Sequence, residues 1–237
     1  MNEKGSLVEF KNDLVDIHLA QGIYSLKQLL DADHPIQKNQ FSISSIIHFY
    51  CSIESMINLL GDELLNDRDS NIFIESNNNI ALKKLRNSWN GNLSIGDKIT
   101  FLTENLFFDG LNSSLINEII ELSKLRNLLV HGKVYKSIYL EEHHDDSSFS
   151  VLDSEYELDA KKLFPKTKFN VPIGLSKNDS LLALSICIKT LIILSKVQSK
   201  KIGYWLNYAV PGSYGWIDQT KTYNEIEADI LNKIGFK

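Results

Sequence analysis

Residues 122–133 read LSKLRNLLVHGK, from Leu122 to Lys133, and the register of this stretch decides how the chain folds. Upstream of it, Leu115, Ile116, Ile119, Ile120, Leu122, Leu125, Leu128 and Leu129 recur at three- and four-residue intervals. That period predicts a helix from about Ser114 to His131 with an apolar stripe broad enough to meet several neighbours. Gly132 is a left-handed stop just past the final turn, so the helix end presents His131. Arg126 and His131 are five positions apart, roughly 140° around the axis, whereas Asn127 and His131 lie four apart on one face. The stretch thus joins a fixed cation to a group that titrates near neutral pH.

Two more long helices share the period. From Ser42 to about Leu65, residues Ile43, Ile46, Ile47, Tyr50, Ile53, Met56, Ile57 and Leu60 form a stripe, with Gly61 near the exit. A last long helix spans about Lys177 to Lys200, opened by Ser176 and Asp179 as a capping pair. Its most apolar part, Leu181 to Leu194, is interrupted by Lys189 and falls short of the roughly twenty residues needed to cross a bilayer, so it reads as a core helix. Ser94 with Asp97 caps a helix to about Leu106, Ile80 to Trp89 supports a short helix, and DRDSNIFIESNNN reads as a polar loop. Near the start, Leu7, Phe10, Leu14 and Ile17 fit one amphipathic helix of an N-terminal arm over residues 1–40. After Gly132, KVYKSIYL and SSFSVL are rich in β-branched and aromatic residues around the polar EEHHDD, which predicts a small β-hairpin insertion over about residues 134–158. Gly203 to Trp216 reads as an aromatic loop, and Thr222 with Glu225 caps a C-terminal helix. The expectation is a single, mainly α domain over 1–237 with its core at 41–200, and 201–237 holding the aromatic loop and last helix.

Composition narrows the function. The chain is 43% apolar and 23% charged, near the globular average. A formal net charge of −5 argues against a broad basic surface tracking many phosphates, while a small basic cleft remains allowed. Cys51 and Cys187 sit inside apolar helical patterns, and no Cys/His pair has the spacing of a structural zinc site, so reduced core thiols and no metal or cofactor are expected. MNEKGSLVEFKNDL lacks the long apolar run of a signal peptide, which leads to the expectation of a cytoplasmic protein with no membrane partner. P-loop, GxGxxG, G-x-S-x-G and H-E-x-x-H patterns are all missing from the sequence.

Four principal helices, with R-N-x-x-x-H closing the third and an extended insertion before the fourth, resemble the HEPN superfamily over roughly Phe41 to Lys200. The strongest element is the pair Arg126 and His131, with Asn127 after the arginine and Gly132 after the histidine. Weaker support comes from SIESMINLL, which holds Glu54, and from IGDKITFL, which holds Lys98. The resemblance implies a HEPN-like helical bundle and a metal-independent endoribonuclease of the toxin or abortive-infection type, cleaving single-stranded RNA by 2′-hydroxyl attack. Other members of the superfamily are inactive protein- or nucleotide-binding modules, which is the alternative here. In the enzyme reading Arg126, Asn127 and His131 are catalytic, and Lys98, Lys133 and Glu54 are candidate substrate contacts. His131 transfers protons, Arg126 holds nonbridging phosphate oxygens through two parallel hydrogen bonds, and Asn127 orients the imidazole or a phosphate. The resemblance also implies a homodimer in which two copies of the motif face one cleft, with an antitoxin or other protein as a further partner.

Plainer readings stand beside these. Arg126 can pair with an acid such as Glu121 or Glu54 while His131 caps a helix C-terminus, where the dipole favours an imidazolium. If Glu54 is buried it needs a partner, and Arg126 or Lys98 would serve. EEHHDD offers metal-ligand types, but adjacent residues seldom converge on one ion, and a solvated turn is the simpler account. Tyr204, Trp205, Tyr208, Tyr214 and Trp216 could stack bases, with packing as the alternative. His48 reads as a satisfied, half-buried histidine, and His18 and His34 as surface residues.

Overall fold

The computed structural model describes residues 14–66, 79–89, 91, 93–106, 111–131, 140–143, 149–152, 168–170, 174–202, 207–210, 213–216 and 221–236. The protein is mainly α-helical. In chain order the helices are α1 (Val15–Asp31), α2 (Pro35–Asn66), α3 (Ile80–Ser88), α4 (Ile95–Leu106), α5 (Ser113–His131), α6 (Lys177–Ile202) and α7 (Tyr223–Lys233). Two short antiparallel backbone pairs accompany them: β1 (Leu140–His143) with β2 (Phe149–Leu152), and β3 (Asn207–Val210) with β4 (Ser213–Trp216). The segment read as an aromatic loop therefore pairs with itself.

Helix α2 is the axis of the fold and packs on α1, α4, α5 and α6. It begins earlier than its apolar stripe suggests, because Pro35 occupies the first helical position, where its fixed φ suits the helix and its missing N–H costs nothing. The His34 Nδ1 accepts the Ile36 N–H at 3.2 Å, so this histidine holds the helix start. Bonds from Ser52 Oγ to Val15 O at 2.9 Å, between Ser25 and Ser44 hydroxyls at 2.9 Å, and between His18 and His48 make α1 and α2 an antiparallel hairpin. Its faces differ from the expected arm. Leu14 and Ile17 are 52% and 63% exposed, and Val15, Leu19, Ile23 and Leu26 enter the core instead. Gly22 sets that orientation: a Cβ there would lie 2.6 Å from the Phe49 ring, so only glycine permits this contact. Leu7 and Phe10 lie outside the described residues, as does the DRDSNIFIESNNN loop except its last residue, Asn79, whose Oδ1 caps α3 by accepting the Ala81 N–H at 2.9 Å.

Gly61 has a similar role across a longer loop. It lies inside α2, and a Cβ there would fall 1.8 Å from the Trp89 indole. The missing side chain seats the fully buried Trp89, whose Nε1 donates to Asn58 O at 3.3 Å. The helix starts follow local chemistry. Ser94 Oγ accepts the Asp97 N–H at 3.1 Å, Asn112 Oδ1 accepts the Leu115 N–H at 2.9 Å, and Thr222 with Glu225 forms a full capping box.

Against α6, α2 runs parallel along a seam of small hydroxyls. Ser42 Oγ donates to Ser176 O at 2.6 Å, and Ser45 Oγ bonds Ser180 Oγ at 2.8 Å. The stretches Pro35–Asp62 and Lys177–Ser195 are long and apolar enough to cross a membrane by length and composition alone. Of their most apolar parts, 56% and 67% lie buried within the protein, which accounts for that composition by core packing.

Candidate functional site at the junction of α2 and α5

Parallel packing of α5 on α2 sets Ser123 opposite Tyr50 and Arg126 opposite Glu54, one turn further along both helices. The Tyr50 hydroxyl donates to Ser123 Oγ at 3.1 Å. Burial pushes the Tyr50 phenol up to about 12, so it remains a neutral donor at ordinary pH. Arg126 lies over this ring, its Cζ 5.5 Å from the ring centroid. Its Nη1 donates to Asn127 Oδ1 at 2.9 Å, and its Nη2 stands 3.8 Å from Glu54 Oε2.

That last contact is long and single, between side chains 24% and 32% exposed for Arg126 and Glu54. It is not the two-pronged carboxylate clamp that guanidinium favours. Arg126 Nε is buried without a hydrogen-bond partner. A guanidinium carries five N–H donors, and an unsatisfied buried one costs about 1–3 kcal/mol. Arg126 is therefore held in place by its own chain but not saturated by it.

Around this pair lies a belt of titratable groups. Lys98 is 4% exposed, donates from Nζ to Asn58 Oδ1 at 2.7 Å, and sits 5.5 Å from the Trp89 ring centroid. Burial lowers its ammonium from the usual value, with the Glu54 carboxylate opposing. In this chain its Nζ is committed to the interior and is not presented as a substrate contact. The Cys51 thiol is pushed up by burial, opposed by the Arg126 charge and by a hydrogen bond from the guanidinium, so the thiol is a further, weak acceptor beside Arg126. On the far side, His18 Nδ1 and His48 Nδ1 are 3.1 Å apart. Both imidazoles are lowered by burial, an effect that Glu54 opposes at His18 and that His18 reinforces at His48. His18, expected on the surface, is half-buried in this pair.

Glu54, Arg126 and Asn127 thus come together, and His131 does not join them. It is the exposed last residue of α5, a basic group in the turn where the helix dipole favours one. Five residues of helix place it about 7.5 Å beyond Arg126 along the axis. Asn127 Oδ1 is engaged by Arg126 rather than by the imidazole. Lys133 lies outside the described residues, as do Tyr204, Trp205 and the side chains of EEHHDD and of Tyr208, Tyr214 and Trp216. Among the described residues, no three His, Cys, Asp or Glu side chains converge to hold a metal ion.

Tyr50, Ser123, Asn58 and the His18–His48 pair are the parts that sequence patterning missed. Asn58 follows Glu54 by one helical turn, and that spacing was the available signal; His18 and His48 are 30 residues apart and carry no local signal. Comparison with protein-family models, curated proteins and solved structures finds no match.

Proposed function

We propose that the protein is a HEPN-like, metal-independent endoribonuclease acting on single-stranded RNA, with Arg126 and His131 as catalytic residues and Asn127 as the residue that positions Arg126. The observation that carries this reading is the Arg126 guanidinium: it is fixed over Tyr50 yet not saturated by its own chain, on the same helix as an exposed imidazole. In the reaction, one His131 imidazole takes the 2′-hydroxyl proton as the 2′-oxygen attacks phosphorus. The P–O5′ bond breaks, and a second imidazole protonates the leaving 5′-oxygen. The products are a 2′,3′-cyclic phosphate and a 5′-hydroxyl. Arg126 stabilises the extra negative charge on the nonbridging oxygens.

Two imidazoles require two chains, so the reading includes a homodimer in which the C-terminal turns of α5 face each other. Val130, 48% exposed beside His131, supplies apolar surface at that place. The four-helix HEPN core with a hairpin insertion before α6, a cytoplasmic location, a role in prokaryotic defence or a toxin system, and a protein antitoxin belong to the same proposal.

The Glu54–Arg126 contact and the Arg126–Asn127 bond favour a second reading, in which Arg126 is an interior strut and the protein a silent protein- or nucleotide-binding module. Incubation with mixed single-stranded RNA in EDTA separates the two. The enzyme yields products ending in cyclic phosphate, which fall by about 10²–10³-fold in Arg126→Ala and His131→Ala. Cleavage that survives both substitutions removes the site assignment, and absence of cleavage by the wild type supports the module.

A further inference from the structure

At the opposite end of α5, a cavity of about 560 Å³ opens between the first turn of α5, the middle of α6 and the start of α7. Ser114 on its wall is twelve residues from Arg126, roughly 18 Å along the helix, so the cavity is separate from the α2–α5 junction. Leu115, Ile192 and Ile193 give it apolar wall, and Tyr223, 39% exposed, adds an aromatic edge. Lys189 and Lys221 also line it. The Lys189 Nζ sits 4.8 Å from the Tyr223 ring centroid, which fixes an ammonium beside the aromatic wall.

The one carboxylate on the wall is already engaged. Glu118 lines the cavity, but its Oε1 is 2.6 Å from Lys168 Nζ. Glu227 is not on the wall; burial pushes its carboxyl up, with the Lys189 charge opposing. On the wall itself two lysines, Lys189 and Lys221, therefore stand against the single carboxylate of Glu118, while Glu121 faces Lys168 and Glu225 is held by Thr222 away from the lining. Lys221 is exposed and has no ion pair among the described residues.

The volume falls within the range of about 300–1,000 Å³ typical of small-molecule sites and is far larger than one ion needs. We infer that this cavity binds a small organic anion, a phosphate or carboxylate carried on an apolar or aromatic body. Lys189 and Lys221 hold the anionic group, and Ile192, Ile193 and Tyr223 receive the body. An inorganic anion would leave the apolar wall wet, and a neutral aromatic would leave Lys221 without a counter-charge.

Calorimetric titration of the full chain with phenyl phosphate, phenylacetate, inorganic phosphate and phenol tests this. At least one of the two aromatic anions saturates one site per chain, at least about tenfold more tightly than phosphate or phenol. Whichever binds better identifies the anionic group. Lys189→Met and Lys221→Met each weaken that binding by about tenfold, whereas Lys84→Met, on an exposed face of α3, leaves it unchanged. Lys221 is exposed, so its variant carries the test even if Lys189→Met disturbs packing, which circular dichroism would reveal. Phenol binding as tightly as the anions, no saturable binding of either anion, or unchanged affinity in Lys221→Met would overturn the inference.

Discussion

The polar contacts that helix α2 makes toward α6 and toward α5 are built differently. Toward α6 the groups are small and their hydrogen bonds are short: Ser42, Ser45 and Ser180 bond one another and the Ser176 carbonyl. Beside them Asp179, 3% exposed, accepts four hydrogen bonds from Asn170 and Ser176 at 2.8–3.0 Å. Toward α5 the groups are large and charged, with a 3.8 Å ion pair and an unpartnered buried Nε. A fully satisfied polar network holds a fold together, whereas an incompletely satisfied one costs stability and persists where something else requires the geometry. The α6 side is thus built as a structural seam, and the incomplete α5 side is the place where the proposed chemistry would sit.

The largest effect expected from breaking this comparison is on the α6 side. Asp179→Ala strips partners from four donors, including two backbone N–H groups, and should cost about 3 kcal/mol, lowering the melting temperature by roughly 10 °C. RNA cleavage per folded molecule should be unchanged. On the α5 side, Tyr50→Phe removes one hydrogen bond and should cost about 1 kcal/mol by denaturant unfolding, while loosening Arg126 enough to reduce cleavage.

A third variable is pH. Burial lowers both His18 and His48 from 6.5, so the folded chain resists protons that the unfolded chain accepts. Their contribution to stability is full above about pH 6.5 and is lost as pH falls from there toward the depressed folded values. Thermal melts at pH 7.5 and 5.5 should show a fall on acidification that is smaller in His18→Gln and His48→Gln. The smallest effect is that of Glu54→Gln. Its partner contact is long and partly exposed, so unfolding free energy should change by less than about 1 kcal/mol. A loss of about 3–5 kcal/mol would mean that the pair behaves as a buried strut.

Where function of a residue is local, the sequence was readable. Ser94 with Asp97, Ser176 with Asp179 and Thr222 with Glu225 act within one turn, and the α5 register followed from its own period. Glu54 meeting Arg126 was among the plainer expectations, since a half-buried acid needs a cation. What stayed hidden depends on distant chain. Gly61 reads as a helix exit, but its reason is Trp89, 28 residues later. Leu14 and Ile17 match the helical period as well as Val15 and Leu19 do, and only the close approach of Gly22 to Phe49 decides between the faces. The cavity draws its walls from three separated helices, and no window of sequence holds it.

In the proposed enzyme Arg126 is held for chemistry rather than for stability. Arg126→Lys tests it most directly, because it keeps the positive charge and removes the planar fork. Cyclic-phosphate production from single-stranded RNA in EDTA and denaturant unfolding should be measured on the same preparation. Cleavage should fall by about 10²-fold while the unfolding free energy changes by less than about 1 kcal/mol. A loss of several kcal/mol in stability, with cleavage falling only in proportion to the folded fraction, would contradict it.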